Sequence, residues 1–293
     1  MSLVLTLIAG HGAEALLPGR AAAIGAALIN GEPDWLAPGR ACDLVLRDGD
    51  AAKAEALARQ AIGNAAIDVL VQPAEGRRKR VFVADLESTI IENEMLDELA
   101  DFVGLRAHVA EITRRAMNGE LDFAAALKER VALLKGLPAT VLDEAAARIR
   151  LMPGARALLA TLRGAGVRTA LVSGGFTVFV ERIAAELGFD RVSANRLDIA
   201  DGHLAGTVAA PILTRETKRD TLLQMAAELG VPLSATVAVG DGANDLPMLE
   251  AAGLGVAFRA KPAVAAARWR LDHADLTGIL YAQGYRQEEI VEP

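Results

Sequence analysis

The chain has 293 residues, 52% of them hydrophobic, and single domains usually run to roughly 100–200 residues, so one large core and a smaller one are expected. A net charge of −7 and a pI near 5.3 argue against a sequence-independent hold on nucleic acid or an anionic membrane, both of which need surplus Lys and Arg. Cys42 is the only cysteine, which excludes an intrachain disulfide and a multi-cysteine metal cluster and fits a reducing compartment; it is not expected to be a catalytic thiol.

The opening MSLVLTLIAG is apolar but has no basic lead, and its run ends at Gly10, short of the roughly 20 residues that span a bilayer. It reads as a strand, and since no later stretch is both long and free of charge, a soluble, cytoplasmic protein is expected. Strand and helix patterns then follow at Leu3–Ala9, Ala13–Leu28, Asp34–Leu36, Ala41–Leu46, Ala51–Ile62 and Ile67–Val71. This β-α-β-β-α-β order over residues 1–75 predicts a small ferredoxin-like α+β sandwich, loosely similar to the amino-acid-binding ACT domain. The basic stretch from Pro73 to Arg80 reads as a solvated linker.

From Arg80 onward, apolar runs at Val81–Ala84, Val167–Val172, Thr236–Val239 and Leu254–Ala257 have the look of buried parallel strands. Residues 80–293 are therefore expected to form an α/β unit with a Rossmann-like parallel sheet. Residues 94–150 show helical spacing without a convincing strand and read as an inserted helical cap. Asp201-Gly202 marks a hairpin within Ser193–Val208.

Ligands of open α/β sheets collect at the carboxyl ends of the strands, and there the chemistry gathers. Asp85-Leu86-Glu87 follows the first run, with two carboxylates facing one side: one can attack while the other handles a proton. Ser173-Gly174-Gly175 offers a hydroxyl and backbone N–H groups at a helix start, a phosphate pocket. Lys218, in the polar lead-in to a helix over Arg219–Leu229, places a point charge suited to phosphate oxygens. Asp241 and Asp245, in GDGAND, are hard oxygen donors suited to Mg²⁺. Phosphoryl transfer asks for this set: a nucleophile, backbone donors, a cation and a metal.

DLEST, LVSGG, the lone Lys and VGDGAND resemble the four motifs of the haloacid dehalogenase-like phosphatases, and IIENEMLDELA, AMNGELDFAAALKERVALLKGLP and SANRL resemble segments of the phosphoserine phosphatases among them. The likeness covers about residues 80–280. It implies hydrolysis of O-phospho-L-serine, the last step of serine biosynthesis, through a phospho-aspartyl intermediate on Asp85. It further implies Mg²⁺ held by the Asp85 carboxylate, the Glu87 carbonyl and Asp241, supported by Asn244 and Asp245. Ser173, Gly174 and Lys218 would hold the phosphoryl oxygens, Glu94 the substrate ammonium and Arg130 its carboxylate, with Met117 and Phe123 closing over the serine.

One position departs from the pattern: Glu87 stands where the family carries Asp. Its reference pKa, about 4.3 against about 3.9 for Asp, suits the same acid–base work, but an extra methylene moves the carboxylate by about 1 Å. Three readings stay open: an enzyme adjusted around Glu, a slow variant, and a phosphoserine-binding regulatory protein with little turnover. A related small-metabolite phosphatase or phosphotransferase is the other enzyme reading. Taken singly, Asp85-x-Glu87 is helix capping, Asp241 and Asp245 are turn formers, and Arg130 is a surface partner of Glu129. Glu92 and Asp97 are expected to face solvent, and His11, His108, His203 and His273 to be structural or exposed. A homodimer is expected from the N-terminal unit.

Overall fold

The computed structural model describes residues 2–10, 18–28, 32–46, 50–118, 120–264 and 267–292. At the N-terminus β1 (Leu3–Ala9), α1 (Pro18–Leu28), β2 (Asp34–Ala37), β3 (Ala41–Leu46), α2 (Ala51–Ile62) and β4 (Ile67–Pro73) follow in the expected order. The strands form an antiparallel sheet, β2-β3-β1-β4. Period-two alternation gives this sheet two faces. Leu5, Leu7, Cys42, Leu44, Val69 and Val71 pack with Ile24 of α1 and Ala58 of α2. Residues 11–17, which include His11 and part of the expected helix, lie outside the described residues.

The other face of this sheet meets the rest of the protein, and the solvated-linker expectation is corrected there. Ile8, Leu36 and Leu70 belong to the large core. Asp68 is buried and accepts the backbone N–H groups of Asp272, His273 and Ala274. Trp269 Nε1 donates to the Val71 carbonyl at 2.9 Å. Arg77 binds Asp43 and the carbonyls of Tyr281 and Ala282, and buried Lys79 donates to Gly76 and Ser234. A run of basic residues reads as linker by composition, but these side chains bridge two packed layers. Cys42 is fully buried, and burial, aided by Asp43 and Asp34, pushes its thiol up to about 12. Native protein at about pH 8 is therefore expected to leave a thiol reagent unreacted, with one equivalent released on unfolding.

The second sheet begins with β5 (Val81–Ala84). The excursion that follows holds α3 (Met95–Asp101), α4 (Arg106–Met117), α5 (Phe123–Ala132) and α6 (Val141–Ala146), the expected all-helical insertion. The chain returns through α7 (Ala155–Gly164), β6 (Arg168–Phe176), α8 (Thr177–Leu187) and β7 (Arg191–Asn195). A hairpin of β8 (Leu197–Ala200) and β9 (His203–Val208) turns at Asp201 and Gly202, both with positive φ. Residues 193–195, expected in that hairpin, instead end β7. Gly136 and Ala139 donate to carbonyls of Leu204 and Gly202, tying the hairpin to the end of the insertion.

The chain then runs through α9 (Arg215–Glu228), β10 (Thr236–Gly240), α10 (Leu246–Ala251), β11 (Leu254–Phe258), β12 (Trp269–Leu271) and α11 (Gly278–Ala282). The strand order is β12-β11-β10-β5-β6-β7, with every neighbouring pair parallel. Both faces are covered, as a parallel sheet requires. Val81, Val83 and Ala238 pack under α9 and α10 through Leu222, Met225 and Met248, while Phe82, Val237 and Val256 pack on the opposite side. No helix among the described residues is long and apolar enough to cross a membrane.

Candidate active site

Connections leave β5 toward β6 on one side, while β10 continues to β11 and β12 on the other. The crevice beyond these two strands is the switch point at which such sheets bind ligands. Asp85 and Asp241 are the first residues past β5 and β10. The Asp85 backbone N–H donates to the Val239 carbonyl at 3.0 Å, fixing one loop against the other strand.

Lys218 Nζ lies between two carboxylates, 2.7 Å from Asp85 Oδ1 and 2.6 Å from Asp245 Oδ1. It sits in the first turn of α9, which starts at Arg215 and not at Arg219, because Thr214 and Thr217 form a reciprocal cap one turn earlier than the apolar pattern suggests. Burial alone pulls its ammonium down, but Asp245 and Asp85 hold it above its usual range. Burial pushes Asp85 up to about 7, against the pull of Lys218. Asp245 Oδ2 accepts the N–H groups of Asp241 and Gly242, so Asp245 shapes the loop as well as binding Lys218.

Asp85, Asp241 and Asp245 each offer an oxygen within 4.8 Å of the others, and all three are buried. Asp241 Oδ1 and Asn244 Oδ1 are buried with no hydrogen-bond partner among the described residues. Burial pushes Asp241 up to about 8, with Lys261 pulling it back. Clustered carboxylates with an orphaned buried oxygen are a donor set that a hard divalent cation fits.

Ser173 and Gly174 lie near the carboxyl end of β6, beside this centre. The Ser173 hydroxyl oxygen accepts the Gly175 N–H at 2.8 Å. The helix opens at Thr177, beyond the Ser173-Gly174-Gly175 segment expected at its start, so the Gly pair belongs to the strand end. A Cβ on Gly174 would stand 2.5 Å from Phe123 Cζ, so only glycine lets the cap ring close onto the strand end.

Residues 85 and 86 are irregular, Glu87 makes an isolated bridge with Ile91, residues 88–90 form a turn, and the next helix begins at Met95, so Asp85-x-Glu87 does not itself open a helix. Instead Glu87 Oε1 accepts the Met95 N–H at 2.8 Å, at the start of the cap's first helix. Burial, then the neighbouring Glu94, push Glu87 up to about 8, so it carries its proton near neutral pH. Ser88 takes positive φ, and its hydroxyl donates to Glu94 Oε1 at 2.7 Å.

Asp85, Glu87, Glu94, Phe123, Arg130, Gly174 and Asn244 line one small cavity of about 40 Å³. The surface reading of Arg130 is therefore corrected: it is buried, with Nε donating to the Ala126 carbonyl and Nη1 to Thr113 Oγ1. Met117 closes α4, and its side chain lies outside the described residues. Glu92 is exposed and paired with Arg150, and His108, His203 and His273 are exposed.

Asp97, expected in solvent, is buried and accepts the Thr113 hydroxyl at 2.9 Å. Its signal was its place three residues after Glu94, one turn along the same helix face. Lys261 was also missed. Its Nζ lies 2.8 Å from Asp241 Oδ2 and 3.0 Å from Glu94 Oε1, and it follows β11, a further strand end pointing into the crevice.

The family model described as haloacid dehalogenase-like hydrolase matches residues 82–250. Phosphoserine phosphatase SerB2 of Mycobacterium tuberculosis is 49% identical over 215 residues, 73% of this chain and 53% of that protein. A phosphoserine phosphatase of Streptococcus thermophilus is 50% identical over 186 residues, 64% of this chain and 86% of that protein. The chain thus spans about half the length of the M. tuberculosis relative and of its Streptomyces coelicolor counterpart. Among solved structures, HAD family hydrolase t0658 of Salmonella enterica serovar Typhi superposes with a TM-score of 0.83 at 28% identity, covering 96% of this chain and 98% of that one. A substrate-bound phosphoserine phosphatase complex superposes with a TM-score of 0.67 at 40% identity, covering 70% and 98%. A match over more than half of the chain, at the residues that build the crevice between β5 and β10, makes this protein a member of the haloacid dehalogenase-like hydrolase family.

Proposed function

We propose that the chain is a Mg²⁺-dependent phosphomonoesterase that hydrolyses O-phospho-L-serine through a phospho-aspartyl intermediate on Asp85. The observation that carries this reading is the single cavity in which Glu94 and Arg130, matched to an ammonium and a carboxylate, face Asp85 and Glu87. Relatives and solved structures that bear the name phosphoserine phosphatase support it.

An Asp85 carboxylate oxygen attacks phosphorus and the bond to the serine oxygen breaks, while protonated Glu87 gives its proton to that oxygen. Glu87 then takes a proton from water, whose oxygen attacks phosphorus and frees Asp85. Lys218, the Ser173 hydroxyl and the Gly174 N–H hold the phosphoryl oxygens, and Lys218 favours the ionised form of Asp85 against its burial. The Asp85 carboxylate, the Glu87 carbonyl and Asp241 would hold Mg²⁺, with Asn244 and Asp245 behind them; when bound, the ion neutralises charge on the transferring group. Glu94 and Arg130 orient the serine moiety, with Phe123 over it.

In the same reading, residues 1–75 are a ferredoxin-like, ACT-like unit and residues 80–293 the phosphatase unit with its cap at about 94–150. The order β2-β3-β1-β4 with two helices on one face supports the first. The proposal includes a cytoplasmic homodimer, since small sandwiches of this kind often pair through their sheets or helices. A substrate panel tests the function. Mg²⁺-dependent phosphate release should be at least about tenfold more efficient with phosphoserine than with sugar phosphates or nucleotides, a ratio one well-placed charged contact supplies. Equal rates would leave only a general phosphatase.

A further inference from the structure

Arg130 reaches the cavity from α5, but its geometry is set from α4 and α3. An arginine side chain is a donor only, so its bond to Thr113 at 2.7 Å must use the threonine oxygen as acceptor. The one hydroxyl proton of Thr113 is thereby directed elsewhere, and it points to Asp97 Oδ1 at 2.9 Å. All three side chains are buried. The result is a chain of fixed polarity, Arg130 to Thr113 to Asp97, that joins three cap helices through side chains with no freedom to exchange roles. A second bond, from Arg130 Nε to the Ala126 carbonyl, fixes the guanidinium plane. Neither bond uses Nη2.

We propose that Thr113 and Asp97 are positioning residues that aim the Arg130 guanidinium at a substrate carboxylate, so that selection for an α-carboxylate depends on all three. The inference rests on the phosphoserine reading and deepens it. Thr113 lines the cavity beside Arg130, whereas Asp97 acts from behind Thr113 and does not line it. The chain also places a carboxylate one residue removed from Arg130, which offsets the burial of its charge without occupying the edge a substrate needs. Asp97, pushed up to about 6 by burial and drawn down by the Thr113 hydroxyl, fits a carboxylate held for that purpose. The alternative, that the trio only packs the cap, predicts that substitutions in it cost the same on substrates with and without the carboxylate.

The test is steady-state kinetics of the metal-loaded enzyme on two substrates: O-phosphoserine, and phosphoethanolamine, which keeps the phosphate and ammonium and lacks the carboxylate. Thr113→Val preserves shape and removes the relay. It is expected to raise KM for phosphoserine about tenfold and change kcat by less than about twofold, with phosphoethanolamine kinetics unchanged. Asp97→Asn should raise the phosphoserine KM by less, because its amide oxygen still accepts from Thr113. Thr113→Ser should restore the wild-type KM, which separates lost hydrogen bonding from disturbed folding. Equal losses on both substrates, or an unchanged phosphoserine KM in Thr113→Val, would overturn the inference. A wild-type enzyme that does not prefer phosphoserine to phosphoethanolamine would instead overturn the phosphoserine reading, and the wild-type arm alone reveals that case.

Discussion

Replacing Asp85 by Asn is expected to lower phosphate release by roughly 10⁴-fold or more, because a neutral amide oxygen is a poor nucleophile and no neighbouring group replaces it. Asp245 is held by Lys218 and by two backbone N–H groups, and belongs to the loop scaffold. Asn at position 85 leaves Lys218 its bond to Asp245, so the fold should persist. The charge at the phosphate site becomes more positive by one unit. Calorimetry should accordingly find phosphoserine bound at least as tightly as in the wild type, while single-turnover measurements find no phosphate released on the wild-type timescale. A fall in affinity parallel to the fall in rate would assign Asp85 to binding instead of attack.

Glu87 carries the second large effect. Glu87→Gln retains an oxygen for the Met95 N–H and loses only the proton, so a fall in kcat of roughly 10²–10⁴ is expected, with KM held. Glu87→Asp tests the length of the side chain. The structure gives the extra methylene a use: it lets Oε1 reach the Met95 N–H at 2.8 Å while the carboxyl group still lines the cavity with Asp85. Shortening this side chain is expected to cost about 10² in kcat, the scale of a 1 Å misplacement. A gain with Asp would mean that Glu87 impairs the site, and initial rates with phosphoserine decide between the two.

Three of the four motifs are legible because β5, β6 and β10 are short apolar runs buried on both faces, with chemistry starting where hydrophobicity stops. Asp85, Ser173 and Asp241 fall out of that rule. Lys218 is legible in the sequence but the start of its helix is not, since Thr214 caps a turn whose residues are all polar and carry no periodic signal. Asp97 was misread for a different reason. Composition treats an acidic residue on a cap helix as solvated, and its burial depends on Thr113 from another helix, a tertiary pairing that spacing within α3 does not encode. The same applies to Arg77 and Lys79, whose partners include Tyr281 and Ser234, 204 and 155 residues away, and Asp43 in the N-terminal sheet. Lys261 was within reach of the rule that found the others, because it follows β11, but Arg259 and Ala260 separate it from the strand and blur the motif.

The most direct test of the phospho-aspartyl account is rapid acid quench of the metal-loaded enzyme during turnover of phosphate-labelled phosphoserine, followed by peptide mapping. The account predicts a hydroxylamine-labile label on the peptide that carries Asp85, absent from Asp85→Asn. Sustained turnover with no label at Asp85, or a label on another residue, would contradict it.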